Sequence, residues 1–332
     1  MSGLKVLLGL DGSAECMYAA EFACKLARRS AGSADAVHVV DTPLLRDFLI
    51  CDHQGFIGSG PYMTARDEMK RSLDQIGGIL LEAFEAHTTA RRVLGESFHV
   101  EGNPVREITR LADNYDIIVL GHKQSVLASR DQDRRKFRRP SLAGLISTYS
   151  PCPVLVVQEM FATLERVVIT ICGHWLEETS LGVIRSFGES LASFAALCGL
   201  SGRFCCWTEE RKYKKAEQVL LETFPDISES LETSLELVRP NETLVWEQLE
   251  STISAGELPV LPVVSTNNHA ITAFGVNADE LLKYCSLPAI LFWPVSYRLE
   301  HTAEDIDWRR RVASPAVPCA TPKSIRESTS PL

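Results

Sequence analysis

Residues 116–157 decide the fold: DIIVLG (116–121) runs into HKQSVLASRDQDRRKFRRPSLAGLISTYS (122–150) and closes with PCPVLVV (151–157). Asp116–Leu120 and Val154–Val157 are short runs of Val, Ile and Leu bounded by Gly and Pro, the signature of strands buried on both faces in a parallel sheet. Between them lie a long polar loop and a helix over Leu142–Tyr149, with Leu142, Leu145 and Ile146 at helical spacing. Gly121 falls where a parallel strand ends, and open α/β sheets bind ligands at such ends.

Working outward, Lys5–Leu10 reads as a first strand ending at Asp11-Gly12-Ser13. Ser13 is placed to cap a helix through Arg29, with Glu15 in its first turn and Arg28–Arg29 in its last, as the helix dipole prefers. A second strand spans Asp35–Val40. Residues 41–65, with Gly55, Gly58, Gly60 and Pro61, read as a flexible connector or lid. A helix over 66–87 follows, since Met69, Leu73, Ile76, Leu80 and Phe84 recur every three or four residues. That stripe reads as core, and the Gly77–Gly78 pair as a kink or a close contact. Leu94–Val100 is a weak strand. Asn103 and Pro104 then open a helix through Asn114, as cap and first helical residue.

The second half repeats this order. ERVVITI (165–171) corresponds to LKVLLGL (4–10), GRFCCWT (202–208) to the second strand, Leu235–Val238 to the third, LPVLPVVS (258–265) to the fourth and SLPAILF (286–292) to PCPVLVV. An internal repeat of this length implies one sheet per half. The reading is α/β: two tandem, open, mainly parallel five-stranded sheets flanked by helices. The divisions are 1–160, 161–300, and a tail over 301–332 whose Pro, Ser and Thr content predicts disorder. Aligning the first strands puts Cys172 where Asp11 sits, so the repeat has lost that carboxylate.

The first half resembles the universal stress protein family. The resemblance rests on the strand ending in Asp11-Gly12-Ser13, on the strand AVHVVD (36–41), on Gly-Asn-Pro at 102–104 and on Gly121, Ser141 and Pro151–Val157. The family's Gly-x-x-Gly, nine residues, Gly-Ser/Thr pattern is altered here: Gln124 and Pro140 replace two glycines, and the loop is six residues longer. The resemblance implies an adenine-nucleotide site, ATP or a relative, with magnesium accompanying the phosphates. It would be formed by Leu10, Asp11, Gly12, Val39, Gly121, His122, Gln124, Ser141 and Leu142. The basic insertion adds Lys123, Arg138 and Arg139 as candidate phosphate contacts, since guanidinium forks suit phosphate. The same insertion also reads as a solvated loop, or as a dock for another partner.

Composition narrows the function classes. Hydrophobic residues make up 45% and charged residues 23% of 332 residues, as in a globular protein long enough for two cores. The net charge of −9 falls almost wholly on residues 163–300, which argues against nucleic acid as a partner. No apolar run is long enough to predict a membrane span, and no secretion signal is legible, so a cytoplasmic protein is expected. Ten cysteines without CxxC pairs read as reduced and buried, and the eight histidines form no metal motif, so no metal site is expected. No nucleophile–base pair or paired carboxylates stand out, so no catalytic residue is named; slow ATP hydrolysis is the most that relatives imply. Two readings stand: a stress-type regulatory protein that binds an adenine nucleotide, or a ligand-free interaction module that has kept only the fold. An unidentified protein partner and a homodimer are compatible with both.

Overall fold

The computed structural model describes residues 3–51, 59–123, 140–160, 163–207, 218, 235–238, 245–265 and 270–297. The 301–332 tail lies outside them, as do Gln124, Arg138 and Arg139. The first half runs β1 (Lys5–Gly9), α1 (Ala14–Arg29), β2 (Ser33–Asp41), α2 (Thr42–Cys51), α3 (Ser59–Arg91), β3 (Ser97–Gly102), α4 (Pro104–Ala112), β4 (Ile117–Gly121), α5 (Leu142–Tyr149) and β5 (Val154–Val157). The second runs β6 (Arg166–Cys172), α6 (Gly173–Glu178), α7 (Leu181–Leu197), β7 (Ser201–Trp207), β8 (Leu235–Val238), α8 (Val245–Thr252), β9 (Glu257–Ser265), β10 (Ala270–Thr272), α9 (Ala278–Tyr284) and β11 (Ala289–Pro294).

The strand order is β3-β2-β1-β4-β5-β11-β9-β6-β7-β8, with β10 paired to β9. Within each half the path strands are parallel. The expected pair of five-stranded sheets is thus a single eleven-stranded sheet. It is joined where β5 pairs antiparallel with β11, Val154 opposite Phe292 and Val157 opposite Ala289. The physical reason is edge chemistry: a buried strand such as VLVV leaves a row of N–H and C=O groups that must find a partner, and β11 supplies it. The hairpin strand β10 is an addition to the expected five.

Both faces of the sheet are covered, which is why β4 and β5 are apolar at every position. On one face Val119, Leu155 and Val157 meet Ala19, Phe22 and Ala23 of α1; on the other Ile118, Leu120 and Val156 meet Ile108 of α4 and Ile146 of α5. A fully buried Leu or Ile side chain contributes roughly 1.5–3 kcal/mol, so these residues fix the register. Caps form as the sequence implies. Ser13 Oγ accepts from Cys16 N at 3.1 Å, and Asn103 Oδ1 from Arg106 N at 3.1 Å. The segment 41–65, expected as a flexible connector or lid, is helical where it is described: Asp41 Oδ1 accepts from Leu44 N at 2.9 Å and starts α2, α3 begins at Ser59, and residues 52–58 lie outside the described residues. Gly77 is a close contact, since a Cβ there would lie 2.5 Å from His38 Cδ2; at Gly78 the space is open.

Candidate functional site

The chain reverses direction across the sheet between β1, whose other neighbour is β2, and β4, and a crevice opens at the carboxyl ends of such strands. Here it is a cavity of about 530 Å³, within the range of small-molecule sites. Leu10, Val39, Ile108 and Leu120 form its base and walls. Leu44 and Leu45 of α2 and Met69 and Leu73 of α3 also line it, so part of the segment expected as a connector or lid and part of the expected core stripe are cavity wall. Asp11, Asp41 and His38 bring the polar groups, and Gly121, Leu142 and Ala143 lie along the opposite rim.

Local geometry fixes each polar group. Asp11 is exposed, and its Oδ1 accepts from Ser13 N at 2.9 Å, which holds the turn after β1. A carboxylate keeps acceptor capacity beyond one such bond. His38 Nδ1 lies 2.8 Å from the Leu10 carbonyl oxygen, so that nitrogen carries the proton. Leu10 N donates to Val37 O at 2.8 Å, the last backbone–backbone bond of the β1 side with β2. Backbone groups alternate along a strand, so the N–H and C=O of Val39, two residues on, face the same edge where β1 has already ended. They present a donor and an acceptor side by side to the cavity.

Of the predicted residues, Leu10, Asp11, Val39, Gly121 and Leu142 come together at the cavity. Gly12 turns away in the left-handed region (φ 81°), beside Leu80. Lys123 is exposed. His122 is directed to the second half: burial pushes its imidazole down, while the Asp279 charge, the Leu282 backbone and Glu15 pull it up, with burial winning. Gly121 has a packing role of its own. A Cβ there would lie 2.5 Å from Cys16 N and 2.6 Å from the Glu15 carbonyl carbon, so the glycine is what lets α1 begin against β4.

Ser141 departs most from its expected place. Its hydroxyl caps its own helix, accepting from Gly144 N at 3.0 Å, and its N–H donates to Asp279 Oδ1 at 2.7 Å. Asp279 comes from α9 in the second half, and Lys283 Nζ lies 2.5 Å from its other oxygen. Burial alone would raise the Asp279 carboxyl, but bonds from Lys283 and Ser141 outweigh it and hold the group below the usual carboxylate range. A Cβ on Gly144 would meet Asp279 Cβ at 2.6 Å and Cα at 2.8 Å, so the two helices touch. Sequence reasoning missed Asp279, because Asn277-Ala-Asp-Glu reads as an ordinary capped helix start.

The equivalent corner of the second half is filled. Cys172 pairs in register with Trp207, the positions that correspond to Asp11 and Val39. Trp207 is buried and packs on Phe274 with ring centroids 4.5 Å apart, while Cys172 Sγ donates to Ala273 O at 2.7 Å. Aromatic rings stand where the first half has space.

A family model described as the universal stress protein family matches residues 4–158. Residues 4–158 form a domain of the universal stress protein family. A universal stress protein from Archaeoglobus fulgidus is similar over 88% of this chain and 98% of its own, at 14% identity and TM-score 0.59. Its match over both halves shows that the fold extends beyond the family-model segment. A putative universal stress protein from Pseudomonas aeruginosa covers 87% of this chain and 92% of its own, at 11% identity and TM-score 0.49. A universal stress protein in complex with cAMP covers 48% of this chain and 98% of its own, at 17% identity and TM-score 0.31. Comparison with curated proteins finds no match. Among the described residues no helix is long and apolar enough to cross a membrane, and no three His, Cys, Asp or Glu side chains gather as a metal site.

Proposed function

We propose that the first half is a receptor for an adenine compound and that the protein acts as a stress-type regulator through the occupancy of this cavity. The cavity carries the proposal: apolar walls from Leu10, Met69 and Leu120 suit the faces of a purine. The Val39 N–H and C=O supply the donor–acceptor pair that an adenine edge requires. Asp11 stands at the mouth as the acceptor for ribose hydroxyls. In this reading the second half, with Trp207 and Phe274 filling its corner, is a structural partner. Any magnesium would enter with the ligand's phosphates, since this reading assigns it no protein ligand. The role is binding, not turnover.

The test is to denature the purified protein and analyse the released small molecules by mass spectrometry, then to record melting curves with millimolar adenosine, AMP and ATP. Release of an adenine compound, or a rise in melting temperature with at least one of the three, is the expected result. An empty protein with unmoved melting curves would leave an interaction module without a ligand.

A further inference from the structure

We propose that Asp279 sets the class of ligand, holding with its own carboxylate the place at the start of α5 that a ligand phosphate would take, so that the cavity selects nucleosides over ATP. This rests on the cavity being an adenine site. The start of a helix is where a phosphate is favoured, because free N–H groups and the positive end of the dipole converge there. In this protein that position adjoins the cavity, since Leu142 and Ala143 line the rim and Ser141 precedes them. It already has an anion. Asp279 Oδ1 accepts from Ser141 N at 2.7 Å, and Ser141 Oγ takes the Gly144 N–H.

The occupancy is steric as well as electrostatic. The Asp279 side chain is 12% exposed, and its Cα and Cβ lie 2.8 and 2.6 Å from where a Gly144 Cβ would be, so α9 covers the first turn of α5. Lys283 at 2.5 Å from the second oxygen gives the carboxylate its counter-charge. The carboxylate, its cation and the N–H donor therefore form a closed set that a triphosphate would have to displace. A nucleoside asks for no such displacement: base and ribose contact only Val39, Asp11 and the apolar walls.

The experiment is calorimetric titration of the full chain and of the Asp279→Asn and Asp279→Ala variants with adenosine and with ATP. The wild-type protein is expected to bind adenosine at least about tenfold more tightly than ATP. Both variants should gain about tenfold or more for ATP (about 1.4 kcal/mol) while the adenosine Kd stays within about twofold. Asn retains an oxygen that accepts from Ser141 N while removing the charge and the acceptor that faces Lys283, so it decides the matter if the Ala variant fails to fold. Equal wild-type affinity for the two ligands, or variants that leave the ratio unchanged, would overturn the role of Asp279. Failure of the wild-type protein to bind either ligand would instead overturn the adenine-site reading beneath it.

Discussion

A Cβ on Gly121 would lie 2.5 Å from the amide nitrogen of Cys16 and 2.7 Å from its Cα. The end of β4 and the first turn of α1 are therefore in backbone contact, and neither can yield as a flexible side chain would. Gly121→Ala should cost about 1–3 kcal/mol, the usual range for overpacking, read as a lower midpoint in urea. A variant as stable as the parent would mean that α1 shifts freely, and that the glycine is there for another reason.

The second half suggests how to close the cavity. Trp207 corresponds to Val39 and fills its corner against Phe274. Val39→Trp should keep the far-ultraviolet circular dichroism spectrum while abolishing any adenosine-induced rise in melting temperature. Persistence of that rise would place the ligand elsewhere.

Arg203 and Glu257 form a buried two-pronged pair, Nε to Oε1 at 3.2 Å and Nη2 to Oε2 at 2.7 Å, with Ser254 N donating to Glu257 at 2.9 Å. Burial pushes the Glu257 carboxyl up, but Arg203, the Ser254 N–H and the Arg166 charge together hold it below its ordinary value. A depressed carboxylate contributes stability above its unfolded pKa, and that contribution is lost as pH falls through the folded value. Arg203→Met removes the two-pronged partner and leaves the buried carboxylate with only the Ser254 N–H and Arg166 Nη1 at 3.5 Å, which should cost up to about 3–5 kcal/mol at neutral pH. Its acid limb should also be flatter than the parent's. Parallel denaturation series from pH 7 to pH 3 would reveal either outcome.

Tyr115 Oη donates to Asp35 Oδ2 at 2.9 Å, while Glu96 N donates to Oδ1 at 2.8 Å. This carboxyl is the opposite case: burial is the largest influence and raises it despite both bonds. Its native state holds a proton to higher pH than the unfolded chain, so its contribution to stability falls as pH rises through the window between the two values. Tyr115→Phe removes one donor from a part-buried carboxylate and should cost about 1–3 kcal/mol at neutral pH. The loss should shrink in acid, and an equal loss at both pH values would count against this account.

Thiol chemistry offers a check on the core. Burial pushes Cys16 and Cys24 up to about 11, and Cys152, Cys198, Cys206 and Cys285 up to about 12. Thiolates are the reactive form, so brief iodoacetamide treatment at pH 7.5 should leave these six unlabelled until urea is added. Peptide mass spectrometry distinguishes these six from the other four cysteines.

Local signals are legible in the sequence because their physics is local. Leu142–Tyr149 and Val154–Val157 fall where the apolar pattern puts them, and Ser13 and Asn103 cap as their positions imply. Asp41 and Pro43 signal the start of α2, but the glycines further on weigh toward a connector or lid. What could not be read is whatever joins residues far apart in the chain. Nothing near Ser141 announces an acceptor 138 residues away. Nothing in PVLVV or PAILF says that the two strands will lie side by side and antiparallel. The site divides the same way: Asp11, Val39 and Gly121 are visible as strand ends, whereas Leu44 and Leu45 reach it, and Asp279 reaches the start of α5 beside it, only through tertiary packing.

The β5–β11 pairing sets one half against the other as two subunits would meet across a symmetric interface, yet both halves lie on one polypeptide. In a symmetric dimer of identical chains every substitution appears twice, so a mutation that closes one pocket closes both. Linkage in one chain removes that constraint. One corner could be filled with Trp207 and Phe274, and α9 could place Asp279 over its neighbour, while the other corner stayed open. The seam between β5 and β11 thus permits a division of labour that two identical subunits cannot have.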